Sequence, residues 1–126
     1  MTSRLAALTV DCADPQLLAD FWCAVLGWRE IDRDVEGISI GGDGPFTLDL
    51  MAVPEAKTVK NRLHLDLRAD GSSTEAELER LLALGARRAD AGQGPDVSWT
   101  VLADPEGNEF CLLSRTAQEV GQARVP

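Results

Sequence analysis

A chain of 126 residues is long enough for one compact domain, or for two small halves sharing a core, and its 44% of hydrophobic residues can fill that core. A net charge of −9 lacks the basic stripe that a phosphate backbone requires, so no nucleic-acid partner is expected. No apolar run approaches the roughly 20 residues that cross a bilayer, and Met1-Thr2-Ser3-Arg4 leads into the first strand without a signal-peptide pattern, so we expect no membrane partner and a cytoplasmic location.

Leu5 to Cys12 alternates apolar and polar residues and predicts a first strand. Asp14 is a good N-cap and Pro15 suits the first helical position. Leu17, Leu18, Phe21, Trp22, Val25 and Leu26 then recur at spacings of three and four, an amphipathic helix that Gly27 ends. Trp22 either lines a pocket or, at helical spacing beside Phe21, joins the core. Trp28 to Asp32 and Gly37 to Ile40 are two further strands, joined by a charged turn. Gly41-Gly42-Asp43-Gly44-Pro45 is the strongest turn signal, and with no Lys-Ser or Lys-Thr after it, it reads as a hairpin loop rather than a phosphate loop. Phe46 to Met51 is the fourth strand, with Asp49 on the face opposite Leu48 and Leu50.

Val53 to Asn61 reads as a linker over the surface. The next strand, Leu63 to Leu67, places Leu63, Leu65 and Leu67 on one face, and Asp66 with His64, the single histidine, on the other. Ser72 before Glu75, and Thr74 before Glu77, each offer a capping box to a second helix whose stripe is Leu78, Leu81, Leu82 and Leu84. Ala86 to Ala89 is a sixth strand, Asp90 to Pro95 a loop, and Val97 to Ala103 a seventh strand. Asp104-Pro105-Glu106-Gly107-Asn108 is a tight turn in which Asp104 and Asn108 are turn-makers. Glu109 to Leu113 is the eighth strand, and residues after Arg115 read as a short tail. Cys12, Cys23 and Cys111 are too widely spaced for a zinc finger and read as reduced, mostly buried thiols.

The strand plan of Leu8 to Asp14, its break into a helix and the closing Leu26-Gly27 recur half a chain later as Leu63 to Asp70 and Leu84-Gly85. That recurrence points to an internal duplication. The fold class is therefore α+β. A single domain over 1–126 contains two βαβββ modules, about 4–53 and 62–115, with a linker at 54–61 and a tail at 116–126.

This pattern resembles the vicinal oxygen chelate superfamily, the glyoxalase, bleomycin-resistance and extradiol-dioxygenase group. The resemblance rests on Asp11-Cys12-Ala13-Asp14-Pro15, Phe21-Trp22, Leu26-Gly27-Trp28, the run Asn61 to Leu67, and the run Ala103 to Cys111 with its Asp-Pro-Glu-Gly-Asn turn. It implies modules that form an open, curled mixed sheet around a small-molecule cavity, often in a homodimer. It also implies one divalent metal, zinc, nickel, manganese or iron, on inward-facing His, Glu or Gln from the first and fourth strand of each module.

On that pattern the metal candidates are His64, Asp49 and Cys111, a set that favours zinc. The first strand lacks a ligand, with Ala7 or Thr9 at the matching position, so the expected site is incomplete and a bound metal is the less favoured state. With a metal, the resemblance implies a lyase or isomerase on a small oxygenated substrate, with Asp66, Asp11 or Glu109 moving the proton. Lactoylglutathione lyase itself is not expected, because its ligand set is not matched. Without a metal, His64, Asp66 and Asp11 would hold a polar or cationic ligand, or act as metal-free acid and base. Thr9, Trp22, Phe46, Trp99 and Glu109 would complete the cavity, as in a drug-binding, resistance-type protein.

Overall fold

The computed structural model describes residues 1–89 and 99–122. The expected loop Asp90–Pro95, the start of the seventh strand at Val97 and the end of the tail lie outside the described residues. The chain divides into two compact units, Met1–Thr58 and Val59–Pro126.

The first unit is β1 (Ala7–Cys12), α1 (Pro15–Leu26), β2 (Arg29–Arg33), β3 (Gly37–Gly41) and β4 (Thr47–Ala52). Local chemistry sets the limits of α1. The Asp14 carboxylate accepts the Leu17 N–H at 3.1 Å, and Gly27, at φ 69°, returns its N–H to the Cys23 carbonyl. The strands form a mixed sheet in the order β1-β4-β3-β2, with β1 parallel to β4 and the other pairs antiparallel. Leu48, Leu50, Ile38 and Ile40 are buried, as are Leu18, Phe21, Trp22 and Val25 of α1, which packs on β3 and β4. Each such side chain contributes about 1.5–3 kcal/mol by leaving water. The other face of the sheet carries the polar row Thr9, Asp49 and Ser39, paired across β1, β4 and β3.

The second unit is β5 (Asp66–Leu67), α2 (Thr74–Leu84), β6 (Arg87–Arg88), β7 (Trp99–Ala103), β8 (Glu109–Leu113) and α3 (Ala117–Val120). Its sheet runs β5-β8-β7-β6, again first, fourth, third, second strand, with β5 parallel to β8. The repeated order is the βαβββ plan expected of a duplication. Neither four-stranded sheet is closed. Phe110, Leu112, Leu102 and Leu81 are almost wholly buried. No described helix is long and apolar enough to cross a membrane.

Four details differ from the sequence reading. The strand expected over Leu63–Leu67 pairs as a ladder only at Asp66–Leu67, and Leu63 is 80% exposed. β5 runs parallel to β8 with Asp66 opposite Cys111; the Leu65 carbonyl still accepts the Cys111 N–H at 2.9 Å, and a register continued to Leu63 leaves β8 for the turn before Glu109. The helix α2 is capped by Ser73, whose hydroxyl accepts the Ala76 N–H at 3.1 Å, rather than by Ser72 or Thr74. Of its leucine stripe only Leu81 is buried, and Leu84 is exposed. The expected tail contains α3, whose capping box joins Thr116 and Glu119, and Ala117 is buried with its N–H on the Ala69 carbonyl at 2.7 Å.

Candidate functional site

Register brings the second unit's candidates together. Asp66 of β5 pairs with Cys111 of β8, which pairs with Val101 of β7, so these three share one face of the sheet. Glu109 and Leu113, two residues either side of Cys111, fall on the same face, as does Trp99, paired with Leu113 and 40% exposed. His64 lies two residues before Asp66. Its Nδ1 is 3.0 Å from an Asp66 carboxylate oxygen and 3.9 Å from the Cys111 sulfur. His64 and Asp66 are exposed and Cys111 is buried. Burial pushes the Cys111 thiol up from its ordinary value, and the Asp66 carboxylate adds to this through its charge and a hydrogen bond; Lys60 opposes it.

The donor set suits a divalent ion. One histidine nitrogen, one carboxylate oxygen and one sulfur lie within 4.8 Å of one another. Ligands around a single zinc ion, each about 2.0–2.3 Å from it, stand roughly 3–4 Å apart. Three protein ligands leave a position for water or substrate, and a nitrogen, oxygen and sulfur set favours zinc. His64 and Cys111 of this cluster are two of the metal candidates named from the sequence. The third differs: Asp66 joins the cluster, a residue read from the sequence as an acid or base.

Asp49 lies in the first unit, where one carboxylate oxygen accepts the Ser39 and Thr47 hydroxyls, each at 2.8 Å. Thr9 is its partner on β1, and Asp11 is exposed two residues further along. Trp22 is buried edge-to-face against Phe21, at a ring separation of 5.1 Å, and so belongs to the core. Phe46 stands edge-on to Trp28 at 6.2 Å. Glu109 accepts the Asn61 backbone N–H at 3.0 Å, which ties the segment before His64 to the start of β8. Asp104 is a turn residue: its carboxylate accepts the Glu106 and Asn108 backbone N–H groups and the Asn108 side-chain amide.

Sequence reasoning passed over Arg68, the residue that follows β5. Its Nε donates to the Gln122 side-chain oxygen at 2.8 Å and its Nη1 to the Arg115 carbonyl at 3.0 Å. The available signal was its spacing, two residues past Asp66 and four past His64 along the same alternation.

Comparison with known proteins agrees with this architecture. Residues 7–113 match the family model of the glyoxalase-like domain. No curated protein matches the sequence. Among solved structures, a glyoxalase/bleomycin resistance protein/dioxygenase family enzyme from Burkholderia phytofirmans PsJN is similar at 22% identity and a TM-score of 0.65, over 87% of this chain and 97% of that one. The fosfomycin resistance protein FosX from Mesorhizobium loti is similar at 17% identity and a TM-score of 0.67, over 95% and 98%. A mutant FosX from Listeria monocytogenes, complexed with Mn(II) and 1S,2S-dihydroxypropylphosphonic acid, is similar at 18% identity and a TM-score of 0.71, over 94% and 95%. These likenesses establish the fold, and the family match covers most of the chain: the protein belongs to the glyoxalase-like domain family of the vicinal oxygen chelate fold.

Proposed function

We propose that this protein is a lyase or isomerase acting on a small oxygenated substrate at His64, Asp66 and Cys111, with one divalent metal ion, zinc by donor chemistry, held by those three side chains. The observation that carries the reading is the convergence of three different donor types from two paired strands. When bound, such an ion supplies Lewis acidity to a substrate oxygen. The chain's own residues supply the rest. The parallel pairing of β5 with β8 fixes Asp66 beside Cys111. The Asn61 to Glu109 bond holds the approach to His64. Glu109, on the same sheet face as Cys111, is the nearby carboxylate left to move a proton.

A second reading rests on the 3.0 Å contact between His64 and Asp66 and on the hydrogen bond between Cys111 and Asp66. These groups satisfy one another without an ion, which suits a metal-independent binding protein of the resistance type. The homodimer implied by the family resemblance belongs to either reading and is checked by sedimentation.

Equilibrium dialysis with zinc separates the two. The enzyme reading expects one equivalent bound, lost in His64→Ala, Asp66→Ala and Cys111→Ser and kept in Asp49→Ala, and turnover of a vicinal-oxygen substrate that His64→Ala abolishes. No zinc uptake by the folded protein refutes the metal centre and leaves the binding reading.

A further inference from the structure

The second unit contains a concavity of about 410 Å³ lined by Asp66, Arg68, Asp70, Leu113, Ala117 and Gln122. This volume lies within the range of small-molecule sites. Its charges are unequally matched. The Asp66 carboxylate meets His64 at 3.0 Å, and Asp70 accepts the Gln118 side-chain amide at 2.7 Å. Among the described residues Arg68 meets neutral oxygens, from Gln122 and the Arg115 carbonyl. Among the described residues no carboxylate pairs with it, and its Nη2 donates no hydrogen bond.

Two bonds to neutral partners fix the plane of the guanidinium without neutralising it. A guanidinium so held keeps its charge and its Nη2 donor, and a carboxylate is the anion such a group takes by a charge-assisted hydrogen bond. The apolar Leu113 and Ala117 fit the short carbon skeleton of such a ligand. Asp66 borders both this concavity and the donor cluster. Residues two apart on an extended chain are separated by roughly 6–7 Å. Asp66 and Arg68 line the same concavity, so one small ligand can touch both the guanidinium and the edge of the cluster.

We infer that Arg68 binds the carboxylate of the substrate, and that the substrate class is a small carboxylic acid that also carries an oxygen function. The position of its oxygen function rests on the reading of His64, Asp66 and Cys111 given above; the carboxylate contact does not. Two acids and one arginine in the lining also leave room for a simple cation, which the experiment must separate.

The test is an amide chemical-shift titration of the folded protein with L-lactate, its methyl ester and methylammonium, each with and without zinc. Lactate is expected to shift the amides of Arg68, Ala69 and Leu113 and to bind about tenfold more tightly than the ester, the size of one lost charge-assisted pair. Arg68→Gln is expected to abolish that preference. Gln122→Ala, which removes one bond to the guanidinium and keeps its charge, is expected to retain it. Equal binding of acid and ester, a preference that survives Arg68→Gln, or methylammonium binding in place of lactate overturns the inference. Failure of the metal centre is read separately, as absence of zinc uptake, and leaves the acid-against-ester comparison intact.

Discussion

Replacing Asp104 by Ala gives the sharpest test of how the second unit holds its site. Asp104 is fully buried, and one of its carboxylate oxygens accepts the backbone N–H groups of Glu106 and Asn108 at 2.9 and 3.0 Å. The Asn108 side-chain amide adds contacts at 3.1 and 2.9 Å to the two oxygens. Truncation removes every one of these acceptors at once. A buried donor left without its partner costs about 1–3 kcal/mol, and solvent entering the vacated space meets part of that need, so the expected loss is about 3–5 kcal/mol. That is a large fraction of the roughly 5–15 kcal/mol that stabilises a domain. Asp104→Asn keeps one carbonyl oxygen for the two backbone donors and is expected to lose about half as much. Urea unfolding followed by tryptophan fluorescence measures both. A loss under about 1 kcal/mol for Asp104→Ala would falsify the claim that this carboxylate organises the β7–β8 turn.

Ser73→Ala is expected to destabilise the protein by about 1 kcal/mol and Ser72→Ala by almost nothing, because only the Ser73 hydroxyl accepts an N–H of α2; equal losses in urea unfolding would contradict that assignment. Gly37→Ala places a methyl group against the Leu50 carbonyl of the neighbouring strand, and a cost of about 1–3 kcal/mol is expected from the forced backbone shift; an unchanged melting temperature would show that the sheet yields freely. The Glu119 carboxyl is held below its ordinary value of 4.5, first by the Thr116 backbone N–H and then by the Thr116 side chain. A lowered value means that the folded form binds its proton less readily than the unfolded chain does. The cap of α3 therefore stabilises fully above pH 4.5 and loses its effect as pH falls through the depressed value. Protection of the Gln122 and Gly121 amides, taken relative to their intrinsic exchange rates at each pH, is expected to fall in that acid range in the native protein and to stay level in Glu119→Gln.

The parts of the fold that were legible in the sequence are those fixed by neighbours along the chain. Asp14, Pro15 and Gly27 bound α1, and Asp104 with Asn108 makes a turn, because each acts over four residues or fewer. The recurrence of one punctuation half a chain apart disclosed the repeated strand order. Strand length at β5 was not legible: alternation from Leu63 shows which way side chains would face, but pairing with β8 runs only from Asp66, with one further bond from the Cys111 N–H to the Leu65 carbonyl. The helix α3 was missed although Thr116 and Glu119 stand at capping-box spacing, because the segment carries no apolar stripe to draw attention to it. His64 and Asp66 were legible as a candidate pair from their shared strand face, and Cys111 was named through the family pattern. That Cys111 stands beside the pair depends on a parallel register between segments far apart in the chain, which no local pattern encodes. Arg68 was legible only by its place in the same alternation, and its partners Arg115 and Gln122, from the C-terminal segment, were not.

The most direct test of the central claim is the absorption spectrum of the protein with cobalt(II) added in place of zinc. A cysteine sulfur bound to cobalt gives an intense near-ultraviolet charge-transfer band, and ligand number sets the strength of the visible bands. The account predicts a sulfur band that saturates at one equivalent, disappears in Cys111→Ser, and weakens with the visible bands in His64→Ala and Asp66→Ala while Asp49→Ala leaves the spectrum unchanged. A folded protein with no sulfur band, or one whose spectrum depends on Asp49 and not on Asp66, would contradict it.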